Sequence, residues 1–183
     1  MARVLLLHSV LGLRAVERDL RARWEAAGHE VALPDLYGGR TAERYDTGFA
    51  LLEEVGLGTV RARAWEARGA LEGLVVLAGI SMGAGLAAEL VDAAPRPAGV
   101  LMLMGAAPLG VPDVSVEAHV ARPDPFDDET TLSGWREATG WPRAALRRYD
   151  GVGHFFIDRA LPDHDSGAAR LCLRRADAFL ASI

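Results

Sequence analysis

The stretch from Leu74 to Leu90, LVVLAGISMGAGLAAEL, leaves this chain few architectures to choose from. An apolar run, Leu74 to Ala78, ends in Gly79-Ile80-Ser81-Met82-Gly83, and an alanine-rich helical segment follows at once. Strand, Gly-x-Ser-x-Gly, helix is the context of a nucleophile elbow, the tight turn that lifts a serine above a parallel sheet. The glycines at 79 and 83 remove side chains where the turn presses backbone against neighbouring elements. With six Ser and 20 Gly in 183 residues, the bare pattern arises by chance in roughly one such chain in fourteen, so its context has to decide.

The context is a regular alternation of strands and helices. Val4 to His8 is a short apolar run of the kind a buried parallel strand needs. From Arg14 to Ala27 the positions Leu13, Val16, Leu20 and Trp24 repeat at helical spacing, with Arg and Glu assigned to the opposite face and Gly28 as the stop. Glu30 to Leu33 reads as a second strand, and a loop, Pro34 to Gly39, leaves its end. Thr41 to Gly73 holds two helices with apolar stripes Phe49, Leu52, Val55 and Val60, Ala64, Ala67, Leu71, separated at Gly56 and Gly58. After the elbow a helix runs to Ala94, followed by a strand over Val100–Met104 and a small-residue loop over Ala106–Asp113. Val114 to Val120 is a further strand, Asp127 to Gly140 a helix, and Ala145 to Tyr149 a strand whose residues favour helix. The final helix starts near Gly167 and places Leu171, Ala178, Phe179 and Ile183 on one face. The expected architecture is one domain over residues 1–183, a three-layer α/β/α sandwich with a mostly parallel sheet. Ligands in such folds bind beyond the carboxyl ends of the strands, where the elbow lies.

Composition narrows the function. Half of the residues are hydrophobic and the net charge is −5, which argues against nucleic acid or an anionic membrane as partner. All 20 basic residues are arginine, and Lys, Asn and Gln are absent. That excludes Schiff-base and P-loop lysine chemistry. The lone cysteine, Cys172, forms no internal disulfide, which fits a reducing compartment. No apolar run is long enough to span a bilayer, and Met1 to Val4 leads straight into a strand without a cleavage region. A cytoplasmic protein is expected, and nothing in the sequence indicates a homo-oligomer.

A serine hydroxyl needs a histidine to take its proton and a carboxylate to orient that histidine. In hydrolases built on such an elbow the chain order is Ser, then acid, then His. Asp124 follows the Val114–Val120 strand, and His154 lies in Gly151-Val152-Gly153-His154-Phe155 before the last helix. The intervals of 43 and 30 residues each leave room for one strand and one helix. Asp127 and Asp128 compete with Asp124 for the acid's place, the alternative for both being the start of a helix. Phe155 and Phe156 are placed to shield the imidazole from water.

These residues carry a resemblance. The chain is similar to the dienelactone hydrolase family of α/β-hydrolases, particularly its short bacterial members. The likeness runs through VLLLHSVLGL, AAGHEVALPDLYGGRT, AGISMGAGLAAEL, HVARPDPFDDE and YDGVGHFFIDRALPDHDSGAARL. It implies Ser81 as nucleophile, Asp124 as acid and His154 as base, with an oxyanion hole at the backbone N–H groups of Met82 and Val10. A donor at a helix N-terminus suits developing negative charge, which agrees for Met82. Well-known members carry a cysteine nucleophile and a first-turn glutamate that pairs with it. Here those positions are Ser81 and Ser9, and no arginine pair matches the one that holds the substrate carboxylate there.

The reading is a serine hydrolase of a carboxylic ester or lactone, a small-molecule substrate, with no metal or organic cofactor required. A thioesterase or acyltransferase on the same fold, and a non-catalytic binding module, are the alternatives. His8, Tyr37 and Arg40 are substrate-contact candidates at the strand ends. His119, inside a strand, is assigned a structural place. Asp158, Asp163, His164 and Asp165 form an acidic loop whose spacing fits no standard metal site. Cys172 and the four tryptophans, Trp24, Trp65, Trp135 and Trp141, are assigned to packing.

Overall fold

A computed structural model describes residues 1–93, 95–109, 114–139 and 144–183. The strands are β1 (Arg3–Leu7), β2 (Glu30–Ala32), β3 (Val75–Ile80), β4 (Gly99–Leu103), β5 (Ser115–Arg122) and β6 (Ala144–Asp150). The helices are α1 (Ala15–Ala26), α2 (Tyr45–Val55), α3 (Leu57–Gly69), α4 (Met82–Glu89), α5 (Glu129–Thr139) and α6 (Ser166–Ala181), with a 3₁₀ turn, Leu90–Asp92, after α4. Trp141, which the sequence assigns to packing, lies outside the described residues.

All six strands pair in parallel in the order β2-β1-β3-β4-β5-β6. Every residue of β3 and β4 is buried, so both faces of the sheet are covered by helices, and alternation gives way to continuous apolar runs. An ion pair between Arg23 and Asp177 joins α1 to α6, and one between Arg61 and Glu89 joins α3 to α4. The order of the strands reverses direction between β1 and β3, which makes the carboxyl ends of these two the topological switch point. Among the described residues no helix is long and apolar enough to cross a membrane.

Three local expectations shift. In α1, Glu17 is fully buried rather than on the solvent face, because positions 17, 20 and 24 share the inner side of the helix. In α6 the buried line is Ala169, Cys172, Ala176 and Leu180, while Ala178 and Ile183 are exposed. Small side chains there let the helix lie close to the sheet, with Phe179 packed against Gly99. In α2 the stripe is only partly buried: Gly48 and Leu51 point inward, Leu52 and Val55 pack against the core from its edge, and Phe49 stays 48% exposed. β6 forms despite its helical preferences because seven register pairs tie it to β5, and Arg147 reaches Glu117 across that pairing.

The elbow depends on contact between backbones. A Cβ on Gly83 would lie 2.2 Å from the Leu7 carbonyl oxygen, and one on Gly79 would lie 2.0 Å from the Gly83 oxygen. Nothing lies within 4 Å of a Cβ on Gly85, two residues further along α4. Gly83→Ala is therefore expected to lower stability by about 3 kcal/mol or more, and Gly85→Ala to leave it unchanged or raise it by up to ~1 kcal/mol. Urea unfolding of the two variants checks this, and equal effects would contradict it.

Candidate active site

β3 ends at Ile80, and Ser81 takes φ 52° and ψ −111°, a left-handed conformation that costs a non-glycine residue about 1–3 kcal/mol. The conformation is held from both sides. Ser81 N–H donates to the Leu103 carbonyl at 2.8 Å, and the Ser81 carbonyl accepts from Ala84 N–H at 2.8 Å. The turn aims the hydroxyl away from the helix it precedes, and no side-chain cap bond forms.

The hydroxyl meets His154 instead. Ser81 Oγ lies 2.9 Å from His154 Nε2, and His154 Nδ1 lies 2.8 Å from Asp124 Oδ2. Since a carboxylate only accepts, Nδ1 carries the proton toward Asp124, and Nε2 is left to accept from the serine. Asp124 Oδ1 accepts from the N–H groups of Phe126 and Asp127 at 2.9 and 3.2 Å. Burial works against its charge, but the His154 contact and these two N–H groups outweigh it and hold its carboxyl below the usual range. Of the three aspartates that compete in the sequence, Asp124 is the one bonded to His154. Asp128 accepts from Thr131 N–H at the exposed start of α5. Asp127 enters the cavity described below.

The histidine loop is anchored through Asp163 to Tyr45, a residue far from it in sequence. Asp163 accepts from Tyr45 Oη–H at 2.6 Å and from Phe155 N–H at 2.9 Å. A Cβ on Gly153 would strike this carboxyl at 2.6 Å, so that glycine admits Asp163 rather than merely loosening the loop. Phe155 and Phe126 each meet the imidazole edge-on, with ring centres 4.8 Å away. Phe156, expected as a second shield, packs on Tyr149 at 4.7 Å instead. The other members of the acidic loop are also engaged. Asp158 pairs with Arg14 at 3.1 Å, His164 Nδ1 lies 3.1 Å from the Phe156 carbonyl, and Asp165 caps α6 through Ala168 N–H at 2.7 Å.

Above Ser81 lies a cavity of about 330 Å³ that includes His154, Met82 and Val10 in its lining. Among the described residues neither the Met82 nor the Val10 N–H has an intramolecular acceptor. The turn carrying Val10 is held by Glu17, which the sequence analysis missed: its carboxylate accepts from Ser9 N–H at 3.4 Å and Arg14 N–H at 2.9 Å. Burial raises the Glu17 carboxyl despite these bonds. A charge on the apolar side of the α1 repeat is the signal that marked it. The α2 stripe supplies Phe49 and Leu52 to the same cavity.

The three substrate-contact candidates lie outside this cavity. Both ring nitrogens of buried His8 are occupied, Nδ1 by the Ser9 carbonyl at 2.7 Å and Nε2 by Leu36 N–H at 3.0 Å. Its burial pushes its pKa down. Tyr37 is buried edge-on against His8, and its hydroxyl donates to Met82 Sδ at 3.5 Å, bracing the elbow from the side. Arg40 is exposed and pairs with Glu54. His119 sits fully buried, its Nδ1 2.7 Å from the Tyr149 hydroxyl and its Nε2 3.0 Å from Glu117 Oε1 but off the hydrogen-bond line.

No protein-family model matches the sequence, and no curated protein matches it. Solved structures do match in fold. One is a dienelactone hydrolase-like promiscuous phosphotriesterase from metagenomic libraries, at TM-score 0.78 and 15% identity over 100% of this chain and 86% of that one. A Klebsiella pneumoniae protein assigned to the dienelactone hydrolases matches at TM-score 0.78 and 19% identity, over 100% and 88%. A Xanthomonas campestris protein assigned to the α/β-hydrolase superfamily matches at TM-score 0.67 and 21% identity over the whole of both chains. The chain therefore has the α/β-hydrolase fold, and over its full length it is similar to dienelactone hydrolase-like structures.

Asp127 is 8% exposed, and its carboxyl is raised to about 6 by burial and by the neighbouring Asp124 charge, against His154, Ala106 N–H and Arg148. The fold thus holds this proton more tightly than the unfolded chain does. The resulting stability is complete below about pH 4 and is lost as the pH rises through 6. A shift of this size corresponds to at most about 3 kcal/mol. Asp127→Asn, which cannot ionise, should unfold several degrees above the parent chain at pH 8 and at the same temperature near pH 4. Thermal unfolding at the two pH values checks this; a less stable variant at pH 8 would contradict it.

Proposed function

We propose that this chain is a serine hydrolase that cleaves a carboxylic ester through an acyl-enzyme on Ser81. The observation that carries the reading is the unbroken line from Ser81 Oγ through the His154 ring to the buried Asp124 carboxylate, ending in a strained turn beneath a cavity. Strain at a serine is retained where exposing its hydroxyl has a use. The fold neighbours named above are described as hydrolases, which supports the same class.

In this mechanism Ser81 Oγ attacks the ester carbonyl carbon as its proton passes to His154 Nε2. The carbonyl oxygen becomes an oxyanion and receives hydrogen bonds from Met82 and Val10 N–H, the first strengthened by the start of α4. The imidazolium, stabilised by Asp124, then gives its proton to the departing alkoxide as the carbon–oxygen bond breaks. Water adds to the acyl-enzyme, its proton goes to His154, and the acid leaves as Ser81 regains the proton. Phe126 and Phe155 keep the ring edges dry and strengthen each of these charge contacts.

With a short-chain 4-nitrophenyl ester, Ser81→Ala is expected to lower kcat by about 10³-fold or more, and Asp124→Asn by about 10³ to 10⁴-fold. A fluorophosphonate probe should label the parent chain at Ser81. Undiminished turnover by Ser81→Ala would remove the mechanism, and an unlabelled Ser81 would favour a non-catalytic binding module.

A further inference from the structure

The chemistry of the cavity wall says more than that an ester fits. The wall is apolar over Val10, Phe49, Leu52, Met104 and Phe126, the two phenylalanines standing half-exposed at its rim with ring centres 6.0 Å apart. Its polar side chains are Ser81, His154, Tyr45 and Asp127. Ser81 and His154 are committed to each other and the Tyr45 hydroxyl to Asp163, which leaves Asp127. Among the described residues that line the cavity none is an arginine.

We propose that Asp127 is a specificity-determining residue, which makes this cavity accept acyl groups that are uncharged or carry a hydrogen-bond donor and reject acyl groups that carry a carboxylate. The inference rests on the ester-hydrolase reading for its substrate but not for its binding preference. Asp127 N–H donates to the Asp124 carboxylate at 3.2 Å, so a second negative charge is already close by. An incoming carboxylate would bring a third negative charge into an apolar recess. Among the described lining residues there is no arginine to compensate it. A hydroxyl or amide N–H at the same place would instead fill an acceptor position that a carboxylate leaves available. The volume lies at the small end of the ligand-pocket range, which limits the acyl group to a short one.

The test compares kcat/KM for 4-nitrophenyl butyrate and 4-nitrophenyl hemisuccinate at pH 8, in the parent chain and in Asp127→Asn. Like-charge repulsion at this depth predicts that the parent favours the butyrate by about 30-fold or more. The variant should shrink that ratio by about tenfold, chiefly through KM for the hemisuccinate. A merely structural Asp127 would change both esters alike and leave the ratio where it was, which overturns the proposal, as does a parent chain that prefers the hemisuccinate. A second measurement needs neither turnover nor the Asp127 variant: calorimetric binding of pentanamide and glutaramate to Ser81→Ala. Tighter binding of pentanamide supports the inference even if no ester is cleaved and the catalytic reading falls. Equal or tighter binding of glutaramate overturns it even if esters are cleaved.

Discussion

The Leu7 carbonyl occupies the place where a side chain at position 83 would have to go, and the geometry of the site follows from that contact. It brings the start of α4 against the end of β1 and leaves Ser81 no relaxed backbone conformation. The same contact sets the distance between the two turns that line the cavity, one carrying Val10 and the other Met82. A sheet whose strand order reverses between β1 and β3 puts those two ends side by side, so topology and backbone packing address the same point. The stability lost to the strained turn is offset by the surrounding strands, which are buried throughout.

Around the elbow, carboxylates fix loops that hydrophobic packing alone would leave free. Glu17 gathers the N–H groups of the first turn, Asp124 those of the turn after β5, and Asp163 joins α2 to the histidine loop. Each accepts backbone N–H donors that would otherwise be left unpaired in a buried place. Asp127 differs, because it adds charge next to Asp124 in a recess lined by apolar side chains. A carboxyl that costs stability at neutral pH and faces the space above the serine is the kind of group kept for binding.

Much of this was legible in the sequence where the physics is local. The buried parallel strands appear as unbroken apolar runs, and the elbow appears as two glycines four residues apart, since only glycine tolerates those approaches. Asp124 and His154 could be named because each follows a strand at the right end of the sheet. What depends on three-dimensional proximity was harder to read. His8, Tyr37 and Arg40 sit near the strand ends in sequence, but two turn under the elbow and one turns to Glu54. The α2 stripe of Phe49 and Leu52 has the spacing of a core face, and periodicity does not distinguish a core from a cavity wall. Tyr45 and Asp163 are 118 residues apart, so no local pattern announces their bond.

The central claim is that Ser81 becomes covalently acylated during turnover. Rapid acid quench of the chain with a short 4-nitrophenyl ester, followed by intact-mass and peptide mass spectrometry, measures this directly. The account predicts one acyl group per chain, on Ser81, formed with a stoichiometric burst of nitrophenol. Turnover at full rate with no adduct, or with the acyl group on another residue, would contradict it.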